Sequence, residues 1–295
     1  GDPVFLEFGA VWQRYTAPMM HTRVAGTPTG EMETVLATIR RIHETLLKSL
    51  RPSYLKPLSD QYELIFYDQR LSGRSTADLD STEIGLDILV DDIEGIRNKF
   101  DLDKIHLTGH SWGALLAMKY ALKYPSNLRS LVLLNAMPAS SELWNREEEI
   151  IAERITREDR LRRQAIVTSD LFQDNRPKAV EELLLLYFRN QFQDETLTDS
   201  LDFEIPDDYS ERGRRFGYIM NDIENYNLHP ELSAMKVPTL LVYGSIEPAT
   251  SISGPKLQQT LPNSEMIVIE DAGHFPFVEK PDLFLARLRE FLEAH

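Results

Sequence analysis

The chain has 295 residues, a hydrophobic content of 42%, a formal net charge of −15 and no cysteine. This length and hydrophobicity suit one large globular domain, or a domain that carries an insertion. The missing cysteine excludes disulfides, thiolate catalysis and thiolate metal ligands, and the negative charge argues against nucleic acid as a partner.

The chain has no apolar run close to the roughly 20 residues that a membrane helix needs. Its first residues also lack the charged start and apolar stretch of a signal peptide. We therefore expect a cytoplasmic protein that does not contact a membrane. The alternative is that a signal peptide was removed upstream of Gly1.

The first segment with a pattern, from Glu33 to Leu50, fits two structures. Apolar residues at positions 35, 39, 42, 46 and 50 follow helical spacing, which predicts one amphipathic helix. Alternatively, residues 35–39 form a strand and residues 40–44 the loop that follows it. Both interpretations stay open on these residues alone.

From residue 62 onward, short apolar runs alternate with helical patterns. The predicted strands lie at 62–67, 105–108, 131–134, 239–243 and 266–269, and the predicted helices at 83–100, 114–123 and about 283–292. Strands that alternate with helices in this way indicate an α/β fold, with a mostly parallel central sheet covered by helices on both faces.

Residues 139–230 break this alternation because they are charged, helix-rich and without a convincing strand. We interpret this segment as a helical cap inserted into the core. The predicted organisation is a core of residues 1–138, a cap of residues 139–230, and the remainder of the core in residues 231–295.

A serine stands at the tight corner Gly109-His110-Ser111-Trp112-Gly113, between a predicted strand and a predicted helix. A small-x-Ser-x-small corner in this context is typical of a nucleophile elbow, where close backbone approach requires small flanking residues. The N–H of Trp112 would begin the helix and point at a developing oxyanion. A plain glycine-flanked turn is the other interpretation.

A serine nucleophile needs a histidine base and a carboxylate that orients the base. In this fold the chain order is Ser, acid, His, which selects His274 in the loop after the last predicted strand. The acid should follow the strand at 239–243. Glu247 is the one carboxylate between Lys236 and Glu265, so it is the candidate acid.

Four segments together resemble the α/β-hydrolase superfamily, and within it the proline iminopeptidase group. The segments are Tyr67-Asp68-Gln69-Arg70-Leu71-Ser72-Gly73-Arg74-Ser75, Gly109-His110-Ser111-Trp112-Gly113, Tyr243-Gly244-Ser245-Ile246-Glu247-Pro248 and Ala272-Gly273-His274-Phe275-Pro276. The resemblance implies a family that removes an N-terminal residue, often proline, from short peptides without a cofactor or metal.

The resemblance also implies that acidic groups of the cap hold the free amino terminus of the substrate. The stretch from Asp194 to Glu211 is rich in carboxylates and has no Lys or Arg. We therefore expect one or two carboxylates from this stretch or its neighbourhood to bind substrate, with Glu204, Asp222 and Glu224 as candidates.

Three departures from the family pattern bear on mechanism. The acid is Glu247 where the family has Asp, and Leu71 stands where the family has Gly. The family's His-Gly-Gly-Pro loop, which supplies a second oxyanion donor, has no counterpart, so we expect that donor within residues 40–44.

The predicted function is a serine hydrolase that acts through an acyl-enzyme, most similar to a proline iminopeptidase. Its partner is then a short peptide or another small-molecule substrate. The alternatives are an esterase or amidase on small acyl substrates, and a non-catalytic ligand binder of the same fold with an impaired oxyanion hole.

Overall fold

A seven-stranded sheet forms the centre of the molecule in a computed structural model that describes residues 4–12, 15–23, 54–73, 75, 80, 83–201, 203 and 205–295. For the first two ranges the description is limited to the backbone. The strands are β1 (Val4–Trp12), β2 (Tyr15–Arg23), β3 (Leu64–Tyr67), β4 (Ile105–Ser111), β5 (Leu128–Leu134), β6 (Thr239–Gly244) and β7 (Ser264–Ile269).

The sheet order is β3-β2-β1-β4-β5-β6-β7. Strand β2 is antiparallel to both of its neighbours, β3 and β1. The other four neighbouring pairs, β1–β4, β4–β5, β5–β6 and β6–β7, are parallel. The prediction of a mostly parallel sheet is confirmed. Beside β4, on the side away from β5, lies β1, with Gly9 in register with Ser111.

Helices cover the sheet and fill the segment between β5 and β6. In the described part of the chain they are α1 (Leu86–Lys99), α2 (Trp112–Lys123), α3 (Ser141–Glu153), α4 (Arg157–Val167), α5 (Asp170–Asp174), α6 (Arg176–Arg189), α7 (Tyr209–Asp222), α8 (His229–Leu232), α9 (Ser253–Thr260), α10 (Pro276–Glu279) and α11 (Pro281–Ala294). None of these helices is long and apolar enough to span a membrane.

The central strands are apolar on both faces because helices cover both sides of the sheet. In β5, Leu131 and Leu133 join a core cluster that contains the apolar residues of α2. Val132 and Leu134, which point the opposite way, join a second cluster with Phe284 of α11. This alternation is the period-two geometry of a strand applied to a continuous apolar run.

Between β5 and β6, the described residues form helices α3 to α8. The two ends of this segment meet in a β-bridge between Ser140 and Asn227, flanked by a hydrogen bond from the Leu228 N–H to the Ala139 carbonyl. The chain therefore returns beside its point of departure. The boundaries at 139 and 230 stay a prediction, and the predictions for residues 33–50 lie outside the described residues.

The turn from β4 into α2 is too tight for a side chain at Gly109. A Cβ built on Gly109 would lie 2.3 Å from the Gly113 carbonyl oxygen, which belongs to the backbone and cannot rotate away. The close approach explains why the first flanking residue of the corner is glycine. It also fixes where α2 begins relative to the strand that it follows.

We expect Gly109→Ala to lower the free energy of unfolding by about 1–3 kcal/mol or more, because the strand and helix must separate to admit the methyl group. The matched control is Gly95→Ala within α1, where a Cβ would meet nothing within 4 Å. That variant should gain about 0.5–1 kcal/mol from helix propensity. Urea unfolding of both variants measures the difference, and equal stability of the two would contradict this account of the turn.

Candidate active site

Ser111 is the last residue of β4 and the N-cap of α2, with φ 55° and ψ −118°. A positive φ is unfavourable for a residue with a side chain, so the surrounding structure must hold it. One restraint is the Met137 N–H, which donates to the Ser111 carbonyl at 3.0 Å. The serine thus stands in a strained conformation at the carboxyl edge of the sheet, as a nucleophile elbow requires.

His274 lies in the loop between β7 and α10 and contacts Glu247, which follows β6. Its Nδ1–H donates to Glu247 Oε2 at 2.8 Å, and both side chains are buried. Because a carboxylate can only accept, this bond places the ring proton on Nδ1 and leaves Nε2 free to accept a proton. The pair has the chemistry of a general base and its orienting acid.

Two side chains that neighbour the serine hold the His274 loop by its backbone. Asn135, at the end of β5, donates from Nδ2 to the carbonyls of Gly273 and His274 at 3.2 and 2.9 Å. His110, next to Ser111, has Nε2 2.7 Å from the His274 carbonyl. Burial, and then the nearby His274, hold the pKa of His110 well below its ordinary value, so this imidazole stays a neutral donor.

One cavity of about 50 Å³ contains the serine, the histidine and the glutamate on its wall. A volume of that size accommodates a few water molecules or a small group of a ligand. The other lining residues come mainly from the end of β5 and from helices α3 and α6. They are Asn135, Ala136, Met137, Pro138, Trp144, Glu147, Glu148, Ile151, Tyr187, Phe188, Gln191 and Ala249.

Two adjacent carboxylates of α3, Glu147 and Glu148, line this cavity. Glu147 is buried and accepts from the Ser253 N–H at 3.0 Å. Burial raises its pKa to about 7, and the nearby Glu247 adds to the rise. Glu148 is exposed by surface area. Its pKa is nevertheless raised by the protein atoms packed around it, against a hydrogen bond from Trp144 that lowers it.

The predicted substrate carboxylates lie elsewhere or outside the described residues. Asp222 accepts from the Leu86 N–H at 2.8 Å and so caps α1, and Glu224 is exposed at the surface. Neither is among the described residues that line the Ser111 cavity. Glu204, and the second oxyanion donor expected within residues 40–44, lie outside the described residues.

Sequence reasoning missed Glu147 and Glu148, although a signal was available. Trp144, Glu148 and Ile151 recur at the three- and four-residue spacing that puts side chains on one face of a helix. All three line the cavity. The pattern did not say which way that face points, because the direction of α3 depends on its packing.

Comparison with known proteins gives consistent results. The model of the α/β hydrolase fold family matches residues 45–281. Proline iminopeptidase of Heyndrickxia coagulans is 27% identical over 249 residues, which are 81% of this chain and 84% of that protein. Proline iminopeptidase of Lactobacillus helveticus (strain DPC 4571) is 29% identical over 254 residues, covering 80% and 82%.

Among solved structures, that of proline iminopeptidase from Mycobacterium smegmatis superposes with a TM-score of 0.54 at 22% identity, covering 79% of this chain and 80% of that one. At this identity the likeness shows the fold alone. The family match, in contrast, spans most of the sequence, including the corner at Ser111 and the loop at His274. The chain therefore belongs to the α/β hydrolase fold family, and within it resembles the proline iminopeptidases.

Proposed function

We propose that the chain is a serine hydrolase that releases an N-terminal residue with a free amino group from short peptides. One observation carries the proposal: a serine in the elbow conformation, a histidine bonded to a glutamate, and two further carboxylates all line one small cavity. The proline iminopeptidases that the chain resembles point to the same class of substrate. The reaction needs no cofactor.

In the first half of the reaction, Ser111 Oγ attacks the carbonyl carbon of the N-terminal residue while His274 Nε2 takes the hydroxyl proton. Glu247 stabilises the imidazolium that forms. The tetrahedral intermediate collapses, the peptide nitrogen leaves with the proton from His274, and an acyl-enzyme remains. Water then attacks the acyl-enzyme by the same route and releases the amino acid and the free serine.

The oxyanion of each tetrahedral intermediate needs at least one fixed donor. The N–H of Trp112 is suited to this role because it begins α2, where the first N–H groups have no partner within the helix. We propose residues 40–44 for the second donor, as the sequence suggested. Loss of one such donor costs roughly 3 kcal/mol of transition-state stabilisation.

We assign recognition of the substrate's ammonium group to Glu148, with Glu147 beside it. These carboxylates line the same cavity as Ser111. Asp222 instead caps α1, and Glu224 is exposed at the surface away from the cavity. A cation in the cavity would offset the cost of burying the negative charge of Glu147. The small volume of the cavity that contains both the carboxylates and the nucleophile, about 50 Å³, favours cleavage after the first residue.

The nucleophile is tested with a fluorophosphonate, which labels an activated serine whatever the substrate. Wild-type protein should be labelled at Ser111, and Ser111→Ala should lose both labelling and hydrolysis, the latter by on the order of 10⁶-fold.

Glu247→Gln should lower kcat by about 10⁴-fold because His274 loses its stabilising charge. Glu265→Gln, an exposed position on β7, is the control.

Unlabelled wild-type protein would favour the non-catalytic ligand binder over the hydrolase. Full activity in a pure preparation of Ser111→Ala would exclude the assigned nucleophile.

The amine preference is tested with an aminoacyl-naphthylamide and its N-acetylated form. Wild type should prefer the free amine, and Glu148→Gln should lower kcat/KM for that form by about 10–100-fold, the worth of a hydrogen bond to a charged group. Activity on the acetylated form should stay unchanged. Glu149→Gln removes the same charge next to the cavity and should have no such effect. Equal turnover of both forms by wild type would leave an esterase-like or amidase-like hydrolase instead.

The charge on Glu147 should cost stability at alkaline pH. Its pKa rises from 4.5 to about 7 on folding, so the folded state binds this proton more tightly than the unfolded state. The tighter binding of this proton therefore stabilises the folded state by about 3 kcal/mol below pH 4.5. This stabilisation is lost as the pH rises from 4.5 through 7. Glu147→Gln cannot ionise and should be more stable than wild type at pH 8 but not at pH 4.

Urea unfolding of wild type, Glu147→Gln and Glu149→Gln at the two pH values measures this difference. If Glu147→Gln follows the pH dependence of wild type, the carboxyl does not titrate as described.

A further inference from the structure

Glu279 connects the cap to the loop that carries His274. It is the last residue of α10 and is half-buried. Its Oε2 accepts from the Gly273 N–H at 2.6 Å, one residue before the histidine. Its Oε1 accepts from the N–H groups of Gln193 and Asp194, at 2.7 and 3.2 Å, just after α6 ends.

A second contact joins the same two segments directly. The backbone N–H of His274 donates to the Gln191 carbonyl at 2.7 Å. The segments approach so closely that a Cβ on Gly273 would lie 1.9 Å from that carbonyl oxygen. Phe192 stacks on Phe275 with ring centroids 4.9 Å apart, which closes the junction on its apolar side.

The end of α6 and the residues just after it also form part of the cavity wall. Tyr187, Phe188 and Gln191 line it, and the Phe188 ring lies parallel to that of His274 at 6.3 Å. The cavity wall and the histidine are therefore parts of one packed unit. A displacement of the end of α6 must displace the His274 loop unless the junction breaks.

We infer that Glu279 is a positioning residue, whose carboxylate fixes the end of α6 to the His274 loop so that the histidine keeps its bond to Glu247. The carboxylate suits this role because it accepts three N–H groups at once and has two oxygens that face different segments. The inference rests on the proposed function in one respect, the role of His274 as the base. The contacts themselves do not depend on it.

Glu279→Gln in the full chain is the test. The amide keeps the size of the side chain but has a single accepting oxygen, so it can hold Gly273 or the 193–194 segment and not both. We expect hydrogen exchange at the amides of Gly273, Gln193 and Asp194 to accelerate at least tenfold. The Nδ1–H resonance of His274, observed by ¹⁵N-edited NMR, should broaden or shift because its bond to Glu247 loosens. Neither measurement needs a substrate.

With an aminoacyl-naphthylamide, Glu279→Gln should lower kcat about tenfold and leave KM within twofold. This split between kcat and KM is expected because the carboxylate lies away from the substrate and acts through the position of His274. Glu290→Gln, an exposed position on α11, is the matched control and should match wild type in every measurement. Glu279→Asp, which keeps the charge but is one methylene too short to reach both segments, replaces Glu279→Gln if that variant does not fold.

Unchanged amide exchange in Glu279→Gln would show that the carboxylate does not join the segments, and would overturn the inference. Faster exchange with an unchanged His274 resonance, or with an unchanged kcat, would show that Glu279 joins the two segments without positioning the histidine, and would overturn the inference as well. If wild type hydrolyses nothing, the proposed function fails, while the exchange and resonance measurements still decide the role of Glu279.

Discussion

The amide of Asn135 satisfies the backbone at the point where three segments of the candidate site converge. Its Oδ1 accepts from the Gly244 N–H at 2.9 Å, and its Nδ2 donates to the carbonyls of Gly273 and His274. The convergence is close, since a Cβ on Gly244 would lie 2.1 Å from the Gly273 carbonyl. Buried backbone groups packed in this way need partners, and an amide supplies an acceptor and donors from one residue. The pairing of Glu247 with the histidine depends on this arrangement.

Electrostatics in the cavity work against stability and in favour of binding. Glu147 and Glu247 are buried and Glu148 is exposed around one small cavity, in a chain that carries a net charge of −15. Burial of a charge such as that of Glu147 costs free energy unless a cation or proton joins it, and its raised pKa is of the kind that tends to occur at functional sites. In the proposed reaction the substrate supplies the cation, so that the groups that destabilise the empty protein select its ligand.

The helical segment between β5 and β6 is joined to the sheet at more than its two ends. Its helix α3 contributes the two carboxylates, and α6 contributes an aromatic wall that lies against the His274 ring. The chain just after α6 is bonded to the His274 loop through Glu279 and the Gln191 carbonyl. In the proposed reaction, a substrate bound in the cavity would contact the same packed unit that holds the His274 loop, so that this helical segment would serve alignment as well as recognition.

The sequence by itself determined the alternation of strands and helices, the α/β class and the family, because hydrophobic period and turn chemistry are local properties. Local context and chain order also selected Ser111, Glu247 and His274, and the structure places the last two in hydrogen-bond contact. Strands β1 and β2 were not predicted, since their position in the sheet depends on pairing with distant segments. Which acidic residues share a cavity with Ser111 was likewise decided by tertiary structure: the sequence offered many carboxylates between β5 and β6, and the packing of α3 brought Glu147 and Glu148 to the cavity.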